Sequence, residues 1–191
     1  MGRAKPEVPY RNLVLTGHIG AGKRAAGRVI AARLDAALID IEAEIEAREG
    51  RTLQEIRELF GQARARALES ALCRDLALRR SAVIVASSNV ILNPDNRALL
   101  AADAEMLCLV CALDEVLRRL YVAMGARFHD PRERARIIAR LKRERPLRQL
   151  AGLPVLDTTD LSVEQIADRA IAYWRRGVEA LKPPASEAIS A

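Results

Sequence analysis

The chain has 191 residues, of which 31 are Lys or Arg and 25 are Asp or Glu, giving a net charge of +6; half are hydrophobic but only 3% are aromatic. That length and apolar fraction suit one globular domain with its own core and exclude a chain disordered throughout. The longest apolar runs, around Ala82–Ala86 and Met106–Leu113, fall far short of the roughly 20 residues a membrane-crossing helix needs.

Met1–Pro6 carries no apolar segment of the signal-peptide kind, and Pro6 stands where a myristoylation signal has Ser or Thr. The chain therefore reads as a cytoplasmic protein. Asn12–Thr16 is the first expected strand, followed by a helix-period stretch over Gly22–Leu34 and a second strand over Ala37–Asp40. Helices are expected over Ile41–Glu49, Leu53–Phe60 and Gln62–Arg80, then a strand over Ala82–Ala86 and a helix over Asp95–Ala102. A strand over Met106–Ala112 leads into helices over Asp114–Met124 and Pro131–Arg145, with Asp130 as cap and Pro131 in the first turn. The last strand, Pro154–Asp157, precedes a helix over Ser162–Val178, whose start is marked by Asp160–Glu164. Residues 1–181 read as one domain, and 182–191 as a flexible tail. Alternating strands and helices imply a parallel sheet covered by helices. Ligands of such sheets bind beyond the carboxyl ends of the strands, which points to Gly17–Lys23, to Asp40 and Glu42, to Ser87–Asn89 and to the segment after Ala112.

Three cysteines, an odd number, argue against a disulfide framework. Cys108 and Cys111 are three apart on an expected strand. That spacing sends the thiols to opposite faces, as core residues rather than a redox pair.

Gly17-His18-Ile19-Gly20-Ala21-Gly22-Lys23-Arg24 follows the first strand and opens a helix. This fits the phosphate-binding pattern G-x-x-x-x-G-K, except that Arg24 takes the Ser/Thr place. Glycines let backbone N–H groups curl around phosphate oxygens, the helix N-terminus favours negative charge, and Lys23 reaches the β- and γ-phosphates. The absent hydroxyl is the one that ligates Mg²⁺ in P-loop enzymes, and a guanidinium cannot ligate a metal. Two placements follow for Arg24: on the nucleotide phosphates in place of the metal, or on Asp40 and Glu42, plugging the metal site.

Further blocks appear in order. They are Leu38-Ile39-Asp40-Ile41-Glu42, Ile45–Ile56, Phe60–Glu69, Leu92–Arg97, Asp130–Arg134, Arg145-Pro146-Leu147 and Val155-Leu156-Asp157-Thr158. With the phosphate loop, their order and spacing resemble the shikimate kinase family over nearly the whole chain. The resemblance implies a three-layer α/β/α P-loop kinase fold, with a central parallel sheet of about five strands and a helical lid at about 121–145. It also implies ATP as cofactor, Mg²⁺ (against which Arg24 stands), and transfer of the γ-phosphoryl group to the 3-hydroxyl of shikimate or a related polyol acid.

Carried over residue by residue, Gly17, Gly20, Ala21, Gly22, Lys23 and Arg24 are nucleotide-binding. Asp40 matches the acid that approaches the metal through water. Glu42 matches the acid that holds substrate hydroxyls and orients or deprotonates the nucleophile. Arg66 matches a carboxylate-binding arginine. Ser87, Ser88 and Asn89 replace three glycines at the substrate. Arg127 is the counterpart of a lid arginine that meets ATP phosphates. Two residues before Pro146, where a substrate-binding arginine belongs, stands Glu144, flanked by Arg143 and Arg145; a shift of register gives either of these the role. Together Lys23, Asp40, Glu42 and Arg127 form the expected catalytic set. An alternative is a catalytically degenerate member that binds a nucleotide or anionic metabolite for sensing, because the departures gather at the chemistry.

His18, at a variable position of the loop, is expected to face solvent, and His129 to lie on the surface. Two histidines without a cysteine cluster give no zinc site. The basic stretch Arg132–Arg148 lacks interleaved aromatics and is broken by Glu133 and Glu144. It reads as a solvated lid helix rather than a nucleic-acid stripe. Trp174 is expected to pack the last helix on the sheet. Partners reduce to a small-molecule substrate, with no nucleic acid or membrane, for a monomer or weak dimer.

Overall fold

The computed structural model describes residues 8–176. Five strands, β1 (Asn12–Gly17), β2 (Ala37–Asp40), β3 (Ala82–Val85), β4 (Ala104–Val110) and β5 (Val155–Asp157), form one sheet in the order β2-β3-β1-β4-β5. Every pairing is parallel. The connections contain helices α1 (Lys23–Leu34), α2 (Ile41–Glu49), α3 (Leu53–Ala77), α4 (Ser88–Leu92), α5 (Pro94–Ala101), α6 (Leu113–Met124) and α7 (Pro131–Glu144), and α8 (Val163–Arg176) follows β5. The expected three-layer α/β/α architecture is therefore present. Among the described residues no helix is long and apolar enough to cross a membrane.

The central strand β1 is buried along its whole length, and its middle, Leu13-Val14-Leu15, is apolar on both faces, as a covered parallel sheet requires. Its period of two sends Leu13 and Leu15 to the layer containing Ile30, Val116 and Trp174. Val14 faces the other layer, with Ile41, Ile56, Leu72 and Ile91. Cys108 and Cys111 fall in opposite layers, both free and buried. Trp174 seats α8 as expected: the ring is 4% exposed and its Nε1–H donates to the Arg11 carbonyl at 2.8 Å.

Some boundaries differ from the sequence expectation. β4 begins and ends two residues early, because Ala104 already pairs with Asn12 and the Val110 carbonyl receives the Thr158 N–H at 2.8 Å. The charged Glu105 that obscured its start is tied to Arg11 at 2.7 Å. As expected, α3 consists of two helical segments parted at Gly61, whose backbone is non-helical (φ 81°, ψ 168°). The short α4 was not expected from the sequence. The Asp130 cap is real: its carboxylate accepts the Arg132 N–H at 2.8 Å. Val178 and the tail at 182–191 lie outside the described residues.

The chain moves outward from β1 in two directions, to β2 and β3 on one side and to β4 and β5 on the other. The crevice where the direction reverses lies at the carboxyl end of β1. The phosphate loop leaves β1 there.

Candidate functional site

Gly17 ends β1 at φ +133°, and a Cβ on it would lie 1.9 Å from the Leu109 carbonyl oxygen. Only glycine lets the loop leave the sheet so close to β4. The loop is strapped from several sides. Thr158, fully buried at the end of β5, donates its hydroxyl within reach of the Ala21 and Val110 carbonyls. Arg119 of α6 reaches the Gly20 carbonyl at 3.4 Å and the Thr158 carbonyl at 2.7 Å, while its Nε–H is held by Glu115 at 2.7 Å. Lys23 folds back so that Nζ donates to the carbonyls of Gly17 (2.9 Å) and His18 (2.7 Å). Burial pushes this ammonium down to about 8, opposed by the charge of Glu144. His18 does not face solvent; it is 7% exposed, and burial lowers its imidazole from the usual range.

Arg24 lies in the cleft beside the loop and is held by the two acids. Its Nε–H donates to Asp40 Oδ2, and Nη2 donates to Asp40 Oδ1 at 3.3 Å and to Glu42 Oε2 at 3.1 Å. Of the two partner sets open from the sequence, the structure places the guanidinium on Asp40 and Glu42. Asp40 also caps α2, its Oδ1 accepting the N–H groups of Glu42 (3.1 Å) and Ala43 (3.3 Å). Hydrogen bonding to Asp40 holds the Arg24 guanidinium above its ordinary range.

Arg140 of α7 stands on the other side of Glu42, with Nη2 3.8 Å from Glu42 Oε1 and Nε donating to Glu144 at 2.9 Å. Glu144 is 1% exposed. Its carboxylate accepts the Ile19 N–H of the phosphate loop at 2.8 Å and the Ser88 hydroxyl at 2.7 Å. Burial alone would raise this carboxyl; the bonds from Ser88, Arg140 and Ile19 together outweigh it and lower it.

Two cavities flank this network. A cleft of about 820 Å³ runs along the phosphate loop, Asp40, Glu42 and Ser87 to Arg118, Arg119 and Arg140. A second, of about 580 Å³, is lined by Arg57, Gln62, Arg66, Glu69, Asn89 and Arg143. Ser87 borders the first and Asn89 the second, so the turn after β3 separates them. The Ser87 hydroxyl is buried with no hydrogen-bond partner in the protein. In the second cavity, Glu69 pairs with Arg57 at 3.1 Å.

The structure thus gathers Lys23, Arg24, Asp40, Glu42 and Ser87 in one cleft, and places Arg66, Asn89 and Arg143 in its neighbour. Gly17, Ala21 and Ser88 are buried and line neither cavity, Ser88 being held on Glu144, and two further expected residues fall elsewhere. Arg127 lies exposed in the 3₁₀ turn Gly125–His129 and does not line the cleft; the cations that do so from α6 and α7 are Arg118, Arg119 and Arg140. Arg145 faces a separate cavity with His18 and Phe128. Sequence reading missed Arg119, Arg140 and the inward role of Glu144. The one available signal was the i,i+4 spacing of Arg140 and Glu144.

A family model of shikimate kinase matches residues 19–175. The chain is 32% identical over 164 residues to a shikimate kinase of Geobacter metallireducens, covering 85% of this chain and 91% of that protein. It is 27% identical over 169 residues to one of Thermodesulfovibrio yellowstonii, covering 87% and 96%. Among solved structures, shikimate kinase from Acinetobacter baumannii in complex with shikimate superposes with a TM-score of 0.69 at 25% identity, covering 85% of this chain and 90% of that one. With its phosphate loop at the crevice of a 2-3-1-4-5 sheet, the chain belongs to the shikimate kinase family.

Proposed function

We propose that the protein transfers the γ-phosphoryl group of ATP to a hydroxyl of shikimate or of a closely related polyhydroxy acid. The observation that carries this reading is the pair of cavities meeting at the turn after β3: one holds the phosphate loop, the other a set of arginines. ATP lies along the first cleft, its phosphates on the N–H groups of the loop and on the start of α1, where peptide dipoles favour anions. Lys23 turns from the Gly17 and His18 carbonyls onto the β- and γ-oxygens. The acceptor's carboxylate lies in the second cavity, where Arg66 and Arg143 supply planar donor forks. Its reacting hydroxyl reaches past Ser87 toward Glu42.

In the reaction the bond from the γ-phosphorus to the bridging oxygen breaks, ADP leaves with that electron pair, and a bond to the acceptor oxygen forms. Glu42 accepts a hydrogen bond from the hydroxyl and takes its proton as that bond forms. Most of the acceleration is positioning and charge neutralisation. The stated roles of Lys23, Glu42, Arg66 and Arg143 belong to this reading.

The test is ADP release measured with ATP and each of shikimate, quinate and gluconate. Expected is acceptor-dependent turnover on the order of 1–100 s⁻¹ with at least one of them. With Arg66→Ala, KM for the acid should rise at least about tenfold while KM for ATP stays. Release that no polyhydroxy acid stimulates overturns the proposal.

A further inference from the structure

Residue 24 and the two acids together define a donor set. A Mg²⁺ ion demands near-ideal octahedral oxygen geometry, supplied by one or two carboxylates, waters and substrate phosphates. Here the residue following Lys23 offers only N–H donors. Asp40 already uses Oδ1 for the first turn of α2 and both oxygens for Arg24, and Glu42 lies between Arg24 at 3.1 Å and Arg140 at 3.8 Å. The residues present do not fit a Mg²⁺ ion held by side chains of this chain.

Arg24 fits the acid pair well. Nε and Nη2 address both oxygens of Asp40, and Nη2 also reaches Glu42. This is the fork geometry that distinguishes arginine from a point charge. Without a cation there, two carboxylates would face the phosphates of a nucleotide lying along the same cleft. The contact crosses between elements: Arg24 sits in the first turn of α1, and Asp40 and Glu42 at the start of α2.

We propose that Arg24 is the resident cation of this site, a positioning residue that neutralises Asp40 and Glu42 in place of a divalent ion, so that nucleotide binds without help from Mg²⁺. The inference rests on the reading of the Gly17–Lys23 cleft as a nucleotide site. It implies that Glu42 is oriented by two guanidinium groups, from α1 and α7, whatever the metal concentration.

Calorimetric titration of the full chain with ATP, in EDTA and in excess Mg²⁺, tests it. For the natural protein the two Kd values should agree within about threefold. Arg24→Ser should bind ATP more weakly in EDTA and recover at least about tenfold when Mg²⁺ is added. Arg24→Lys, which keeps the charge but loses the fork, should remain indifferent to Mg²⁺; it serves as the second variant if the serine form does not fold. A tightening of about tenfold or more by Mg²⁺ in the natural protein overturns the proposal. So does an Arg24→Ser protein that binds as tightly in EDTA as the natural one. If ATP binds neither protein under either condition, the nucleotide-site reading fails as well, an outcome distinct from metal-dependent binding.

Discussion

Replacing Glu144 by Ala removes the acceptor on which three donors converge: the Ile19 N–H at 2.8 Å, the Ser88 hydroxyl at 2.7 Å and Arg140 Nε at 2.9 Å. The three losses are unequal. The Ile19 N–H is fixed by the phosphate loop and cannot turn to water; leaving it unpaired costs about 1–3 kcal/mol. The Ser88 hydroxyl can rotate to another acceptor. Arg140 is 34% exposed and rehydrates, so its share is below about 1 kcal/mol. The carboxylate no longer has to be desolvated, which offsets part of the loss, while the emptied space beside Ser88 adds to it. The net expectation is about 2–3 kcal/mol of lost stability, less than the 3–5 of a fully buried broken pair. For a chain of this size that lowers the melting temperature by about 4–12 °C. Glu144→Gln keeps the shape and one acceptor but turns an amide donor toward a donor, costing about 1–2 kcal/mol. Urea unfolding followed by circular dichroism checks both, with the midpoint falling and the slope unchanged. An alanine variant within about 0.5 kcal/mol of the natural protein refutes the reasoning, because surface substitutions have that effect and buried hubs do not.

Three further outcomes follow from the loop itself. Lys23 holds its proton up to only about 8 in the folded protein, against an ordinary value of 10.5. A phosphate favours the charged lysine, so ATP affinity should be flat below pH 8 and fall above it by up to about tenfold per pH unit. Titrations from pH 7 to 9.5 decide this, and a flat profile contradicts it. The same shift makes folding stability of the free protein rise between pH 8 and 10.5, where the unfolded chain binds the extra proton. Gly17→Ala drives a Cβ to 1.9 Å from a backbone oxygen at φ +133°. It should cost about 3 kcal/mol or more, since neither strand can yield. A melting temperature within about 2 °C of the natural protein's would show that β1 and β4 can separate there.

The fold was legible because its signals are local. The continuous buried run of β1, the glycine pattern after it and the Asp130-Pro131 cap each depend on a few adjacent residues. Gly61 was legible as the break between two helical segments, and its backbone is non-helical. The start of β4 was hidden because Glu105 looks like a strand breaker until Arg11, far away in sequence, is placed beside it. The site was half legible for the same reason. Lys23, Asp40 and Glu42 follow strands, and the rule for parallel sheets finds them. Arg119 and Arg140 lie in the middle of basic, amphipathic helices, where nothing local separates a cation facing the cleft from one facing water. Arg127 stands exposed in the Gly125–His129 turn, a placement that no adjacent residue announces.

The two departures that look like separate defects in the sequence, Arg24 and Glu144, prove to be ends of one chain of contacts. It runs from Arg24 to Asp40 and Glu42, on to Arg140, then to Glu144 and the Ile19 N–H of the phosphate loop. Charges alternate along it, so each buried or half-buried group meets an opposite one, the condition under which such groups are tolerated away from water. Serine at position 24 alone would leave Asp40 and Glu42 to Arg140, which already serves Glu144. An arginine at position 144 alone would stand beside Arg140 and near the Lys23 ammonium, with no carboxylate left to separate them. Each change is unfavourable without the other, and together they tie α1, α2, α7 and the phosphate loop into one charge-balanced unit. Alternation of this kind cannot be judged one position at a time. Residue 24 read against a motif is a missing hydroxyl; read against Glu42, Arg140 and Glu144, it is the first cation of a network that closes the site.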